Sequence, residues 1–334
     1  MNSPLSGHRE QQDEDAEGED SPRHAVARAR AIVQDGAVIE SPPPAEALAW
    51  AAQVVGPAAS ARTVRRLAGG THAATHLLRT ERPTRELVLR RFPPGDEAAA
   101  REARVLEALD GLDGWAPRLV GADPDGSRIG EPATLITRLS GHADVTPADP
   151  DTAAAQLGAA LARIHAVPIS RLAGFRDVMA TAFPLDVRDA GPAAPSLAAA
   201  GRRLAEQQPV LTHYDFWSGN VLWQDGELTG IVDWSGASLA PRGFDVSWCR
   251  LDLVLLHGPA VADTFLDAYQ EAAGEAPGEP ALWDLFALAN SHRSVETWLP
   301  NYHDLGRTDL TAAGLRRRHT DWTAARLATW SART

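Results

Sequence analysis

His213, Asp215 and Asn220 stand in the order H-x-D-x4-N, and Asp233 follows thirteen residues further on, within Ile231-Val232-Asp233-Trp234. These residue types at this spacing suit phosphoryl transfer. One carboxylate, Asp215, orients an alcohol and accepts its proton. A carboxamide and a second carboxylate, Asn220 and Asp233, are the hard oxygen donors that hold Mg²⁺ against nucleotide phosphates. With 11 His and only four Asn in 334 residues, composition alone produces roughly 0.01 occurrences of the first half of this pattern.

The intervening residues explain how the donors could meet. Val221 to Gln224 and Glu227 to Val232 are strand-like runs separated by Asp225-Gly226, a strong two-residue hairpin signal. Pairing Gln224 with Glu227 and counting back sets Asn220 opposite Ile231. Alternation then points Asn220, Ile231 and Asp233 to one side of the hairpin. An ordinary surface hairpin with a capping Asn is the competing interpretation, and the joint spacing disfavours it.

The segment LTHYDFWSGNVLW, with GIVDW after it, resembles the catalytic segment of the aminoglycoside phosphotransferase family, which includes choline kinase-like small-molecule kinases of protein-kinase-like fold. The resemblance spans roughly residues 60–330 and is strongest at 210–250. It implies Asp215 as catalytic base, Asn220 and Asp233 as Mg²⁺ ligands, and ATP or GTP as co-substrate. It further implies that Asp245, in Arg242-Gly243-Phe244-Asp245, anchors the catalytic loop. Tyr214 departs from the family pattern, since many members carry Gly between the His and the Asp.

Upstream, Gly69, Gly70 and Thr71 lie between two strand-like runs, where backbone N–H groups can close over phosphates. A double glycine is equally an ordinary tight turn, and the G-x-G-x-x-G spacing is absent. Glu102 precedes Val105, Leu106 and Leu109 by three, four and seven residues, so it shares the inward stripe of its helix. A buried glutamate requires a cation. Arg90 or Arg91, in the preceding strand, supplies it. Alternation alone does not choose between them; alignment of LVLRRFPPG with the family's strand favours Arg90, with arginine replacing lysine as the phosphate contact. The alternative leaves both arginines solvated.

His165, on an apolar helical face, and His213 read as braces of the catalytic loop. The segment from Asn290 to Asp304 is polar and aromatic, and Glu296, Trp298, Asn301, Tyr302 and Asp304 are candidates for acceptor binding. A solvated helix end accounts for the same residues. No G-x-S-x-G elbow or H-E-x-x-H pair is present, which removes serine-hydrolase and zinc-protease readings.

The elements that must position these groups form an α+β pattern. Residues 1–45 read as a disordered acidic tail, 46–139 as an N-terminal nucleotide-binding lobe with a small antiparallel sheet and one main helix, and 140–334 as a larger, mostly helical C-terminal lobe with the catalytic loop and acceptor site. Expected strands are Val64 to Thr80, turned at Gly69-Gly70, then Leu87 to Phe92 and Thr134 to Leu139. Expected helices are Asp96 to Leu109, Thr152 to His165, Ser196 to Gln207, Asp245 to Leu256, Ala260 to Ala273, Leu282 to Trp298 and Ala312 to Ala328, interrupted only by the 221–233 hairpin.

A net charge of −12 argues against nucleic acid as partner. The chain contains no lysine, which excludes a Walker A loop and assigns every phosphate-binding cation to arginine. A single cysteine, no apolar run of membrane-spanning length and a polar N-terminus point to a cytoplasmic protein with no membrane partner. The expected partners are a nucleotide and a small-molecule acceptor: an aminoglycoside-like antibiotic, or a metabolic amino alcohol or sugar. A nucleotide-binding regulator without catalysis is the alternative of another class, motivated by Arg90, Tyr214 and the acidic tail.

Overall fold

The computed structural model describes residues 41–67, 73–179 and 190–332. Up to Thr137 the described residues form helix α1 (Ala45–Val55) and strands β1 (Ser60–Arg66), β2 (Ala74–Glu81) and β3 (Arg85–Arg91), followed by helix α2 (Ala98–Leu109) and strands β4 (Leu119–Asp123) and β5 (Ala133–Thr137). The strands make one antiparallel sheet in the order β1-β2-β3-β5-β4.

Alternation along β3 divides the sheet between two helices. Leu87 and Leu89 join Leu78, Leu135, Trp50 and Ala51 beneath α1, whereas Val88 and Ile136 meet Val105, Leu106 and Leu109 of α2. Each such leucine, isoleucine or valine, fully buried, contributes roughly 1.5–3 kcal/mol. The same alternation sends Arg90 to the α2 side and Arg91 to the α1 side. Helix α2 begins where Asp96 Oδ1 accepts the Ala98 amide at 2.7 Å, and it ends at Asp110 in the left-handed region. Strand β1 is one border of the sheet; its Arg62, Arg65 and Arg66 are exposed, and a bulge at Val64 interrupts its register with β2.

The second half is dominated by helices α3 (Pro150–His165), α4 (Ala194–Ala200), α5 (Arg202–Ala205), α6 (Gly243–Leu256), α7 (Pro259–Ala273), α8 (Pro280–Ser291), α9 (Leu299–Asp304) and α10 (Ala312–Ser331). Helices α3 and α7 approach backbone to backbone: a Cβ at Gly158 would lie 2.4 Å from the Phe265 carbonyl oxygen. Helix α6 is buried nearly throughout, Cys249 included. Among the described residues no helix is long and apolar enough to cross a membrane.

The hairpin is not the only interruption. Strand β6 (His142–Ala143) extends the hairpin of β8 (Val221–Gln224) and β9 (Glu227–Ile231), and β7 (Pro209–Thr212) pairs antiparallel with β10 (Ser238–Pro241). The expected helix at Ser196–Gln207 divides at Gly201, and the one at Leu282–Trp298 stops at Ser291, whose hydroxyl turns back onto the Ala287 and Leu288 carbonyls.

Register within the hairpin also departs from expectation. Asp225 and Gly226, at φ 54° and 81°, make the expected tight turn, and Gln224 pairs with Glu227. Thr229, however, is bulged out, its hydroxyl donating to the Ser140 carbonyl at 2.8 Å. Val221 therefore faces Ile231, and Asn220 faces Val232, whose amide donates to the Asn220 carbonyl at 2.9 Å. Ile231 is wholly buried and shares no side with the polar groups.

Candidate active site

Strands β7 and β10 bring two loops together. One, residues 213–220, leaves β7; the other, beginning at Asp233, leads into β10. The Thr212 hydroxyl donates to the Ser238 carbonyl at 3.0 Å, and Thr212 and Ser238 are register partners. His213 Nε2 donates to the Val232 carbonyl at 2.9 Å, which ties the first loop to the residue before Asp233.

Asp245, wholly buried in the first turn of α6, accepts the amides of His213 at 2.6 Å and Tyr214 at 3.0 Å. His165 stands behind it, with Nε2 3.5 Å from the Asp245 carboxylate and Nδ1 2.8 Å from the Tyr269 hydroxyl. Burial holds His165 below the usual imidazole range despite the pull of Asp245. Both histidines thus brace the loop from within the fold. Tyr214 has φ 76°, a conformation natural to glycine and uncommon for a bulky residue. Its ring stacks on Phe244 at 5.3 Å with the Arg176 guanidinium 5.2 Å from its centroid, contacts that hold it there.

Asp215 is half-buried, and Asn220 Nδ2 donates both to its carbonyl at 2.9 Å and to its Oδ2 at 3.2 Å. With the amide hydrogens committed to Asp215, the Asn220 carboxamide oxygen is the atom left for a cation. Asp233 does not continue the strand: φ 64° and ψ 62° swing it out of β9. Its Oδ1 accepts Arg90 Nη2 at 2.6 Å and the Ser235 hydroxyl at 2.8 Å. Burial pushes the Asp233 carboxyl up, but Arg90 and Ser235 outweigh it and bring it to about 2.

Arg90 is the bridge between the halves of the molecule. Its Nη1 pairs with Glu102 Oε1 on α2 while Nη2 reaches Asp233. Glu102 is 1% exposed, and its Oε2 accepts the Thr134 hydroxyl at 2.6 Å. Burial lifts the Glu102 carboxyl above its ordinary range, although Arg90 and Thr134 oppose it. Arg91 pairs with Glu131 and the Ser41 carbonyl on the opposite face of the sheet. Both arginines are buried, so neither is a solvated surface charge.

Mg²⁺ commonly takes one or two carboxylates and completes its shell with phosphate oxygens and water. An ionised, 29% exposed Asp233 and the Asn220 oxygen fit that demand. Among the described residues no group of three or more His, Cys, Asp or Glu gathers as a complete metal site. Gly69, Gly70 and Thr71 lie outside the described residues.

The five acceptor candidates are not gathered into one binding face. Tyr302 and Trp298 are buried, Tyr302 donating to Asp252 Oδ1 at 2.9 Å and Trp298 packing on Trp248 at 5.5 Å. Glu296 is paired bidentately with Arg316, and Asn301 and Asp304 are exposed. The aromatic residues of this segment are core, not recognition surface. Sequence reasoning passed over Ser235 and Thr134, which orient the two carboxylates held by Arg90. It also passed over Asp252, whose signal was available: it lies seven residues after Asp245 on one helix.

The profile of the phosphotransferase enzyme family matches residues 63–283. Similar solved structures include a Ralstonia eutropha protein assigned to the aminoglycoside phosphotransferases (15% identity, TM-score 0.57, 83% of this chain and 95% of that one). A thermostable mutant of aminoglycoside phosphotransferase APH(4)-Ia, in ternary complex with ADP and hygromycin B, is another (16%, 0.52, 79% and 94%). Macrolide 2′-phosphotransferase MphH from Brachybacterium faecium is a third (20%, 0.50, 79% and 91%). At these identities the structural likeness concerns the fold, which is α+β and kinase-like. No curated protein matches the sequence. The family profile covers about two thirds of the chain and includes every residue from Arg90 to Asp245 discussed above, so this chain belongs to the phosphotransferase enzyme family.

Proposed function

We propose that the protein is an Mg²⁺-dependent, cytoplasmic kinase that moves the γ-phosphoryl group of ATP or GTP onto a hydroxyl of a small molecule. The observation that carries this reading is the chain of contacts Glu102–Arg90–Asp233 beside the hydrogen-bonded pair Asp215–Asn220. It combines an anchored cation for phosphates, a carboxylate kept ionised for a metal, and a second carboxylate for the acceptor.

In this reading the acceptor hydroxyl donates its hydrogen bond to Asp215, which takes the proton as the new O–P bond forms and the β–γ bridging P–O bond breaks; the nucleoside diphosphate leaves with that electron pair. Asn220 fixes the Asp215 carboxylate through its amide and offers its oxygen to the cation. Asn220 and Asp233 would hold Mg²⁺, which when bound would supply charge neutralisation at the nucleotide phosphates. Arg90, held by Glu102, turns its free donors to phosphate, binding bidentately where lysine would act as a point charge. Catalysis is then positioning and electrostatics, with no covalent enzyme intermediate.

Acceptors in keeping with the family are an aminoglycoside-like antibiotic, which would make the protein a resistance enzyme, or an amino alcohol or sugar. Residues 46–139 serve as the nucleotide-binding lobe and 140–334 as the catalytic and acceptor lobe, with Gly69, Gly70 and Thr71 over the phosphates. The test is release of ADP or GDP across a panel of aminoglycosides, macrolides, amino alcohols and sugars, with product mass measured. An active acceptor, silenced by chelation and by Asp215→Ala, is the expected result. Tight nucleotide binding with no labelled acceptor would overturn it in favour of a regulator.

A further inference from the structure

The catalytic loop is held at both ends by one helix. Asp245, in the first turn of α6, grips its start through the His213 and Tyr214 amides. Asp252, seven residues later and therefore on the same helical face, grips its end. Asp252 Oδ2 accepts the Ser218 amide at 3.1 Å and the Ser218 hydroxyl at 2.7 Å, while Oδ1 accepts the Tyr302 hydroxyl at 2.9 Å. Ser218, Asp252 and Tyr302 are each less than 5% exposed. Ser218 opens the short turn Ser218–Asn220, so the clamp lies two residues from the carboxamide that orients Asp215. The Trp217 ring lies over Gly219, where a Cβ would come within 2.2 Å of it, and meets Tyr302 edge-on at 6.0 Å.

We propose that Asp252 is a positioning residue for phosphoryl transfer: with Ser218 and Tyr302 it fixes the end of the catalytic loop, and through it the mutual placement of Asn220 and Asp215. The inference rests on the phosphotransferase reading above and deepens it. Asp252 touches neither substrate nor metal in this account. It acts through the loop, by accepting the Ser218 amide and hydroxyl in a buried place where water cannot substitute. Tyr302 extends the hold to α9, so the loop end is fixed from two helices.

The test uses the full chain and the variants Ser218→Ala, Ser218→Thr, Tyr302→Phe and Asp252→Asn, with nucleoside-diphosphate release on the best acceptor and amide exchange across 213–220. A misplacement of about 1 Å costs on the order of a hundredfold. Ser218→Ala and Asp252→Asn are accordingly expected to lower kcat by about ten- to a hundredfold, with the nucleotide KM within about twofold and faster exchange at Ser218 and Asn220. Ser218→Thr, which keeps the hydroxyl that Asp252 accepts, is expected to retain more activity than Ser218→Ala. Unchanged kcat in Ser218→Ala and Tyr302→Phe would overturn the proposal, as would a kcat loss matched by the nucleotide KM or by lost folding. Should Asp252→Asn not fold, those two variants decide. If the wild type turns over no acceptor, the phosphotransferase reading fails, and unchanged exchange in the variants still separately refutes the clamp.

Discussion

Arg90→Met isolates the buried ion bridge that joins the sheet half of the molecule to Asp233. Glu102 is 1% exposed in its side chain, and after the substitution the partner it keeps among the described residues is the Thr134 hydroxyl. Removing one member of a buried pair costs about 3–5 kcal/mol, because the survivor's charge is left uncompensated. Asp233, at 29% exposure, recovers water and adds little to that loss. For a folded unit of this size roughly 2 °C of Tm accompanies each kcal/mol, so the midpoint should fall by about 6–10 °C. Arg90→Met combined with Glu102→Leu removes both charges, and should be more stable than Arg90→Met alone. Thermal and urea denaturation of the four proteins of this cycle measures the coupling, expected at about 2 kcal/mol or more. A loss below about 1 kcal/mol in Arg90→Met, or additivity within about 0.5 kcal/mol, would show that Glu102 carries no charge for Arg90 to compensate.

Other outcomes follow from the same geometry. Asp233→Ala should abolish Mg²⁺-supported turnover while sparing the fold, read by product release against circular dichroism; near-normal rates would remove the metal assignment. Gly158→Ala should destabilise by about 1–3 kcal/mol in urea melts, because its Cβ would meet the Phe265 backbone, which cannot rotate aside. His319 is buried, and its imidazole is lowered to about 4 by burial and by Arg316. Its contribution to stability is therefore complete above pH 6.5. It declines as the unfolded chain binds a proton between pH 6.5 and 4, and levels off below, a span of about 3 kcal/mol. His257, also lowered to about 4, titrates over the same window, so His319→Gln should remove part and not all of the slope in urea midpoints from pH 7.5 to 4.5.

The sequence displayed these features unevenly. The Asp225-Gly226 turn and the inward Glu102 were legible because each rests on local chemistry: positive φ in two consecutive residues, and a helical stripe. The hairpin register was not, since a single bulged residue, Thr229, moves Asn220 from Ile231 to Val232 and leaves no trace in a two-residue alternation. Strands β7 and β10, four residues each and bounded by proline, are too short for periodicity to register, yet they bring the two loops together. The choice between Arg90 and Arg91 required a fold, because both face buried partners from opposite sides of β3. The aromatic segment around Tyr302 looked like a ligand surface because hydroxyl-bearing rings suit either role; its partner Asp252 is fifty residues away.

Strand β1 bounds the sheet with unpaired backbone groups, the arrangement through which proteins recruit foreign strands and aggregate. Here three outward guanidinium groups and a kink at Val64 occupy that margin. Two copies approaching side by side repel one another before any ladder can begin, and the bent backbone offers no straight template to extend. The acidic balance of the whole chain conceals this local positive fringe, which disfavours edge-to-edge pairing along β1.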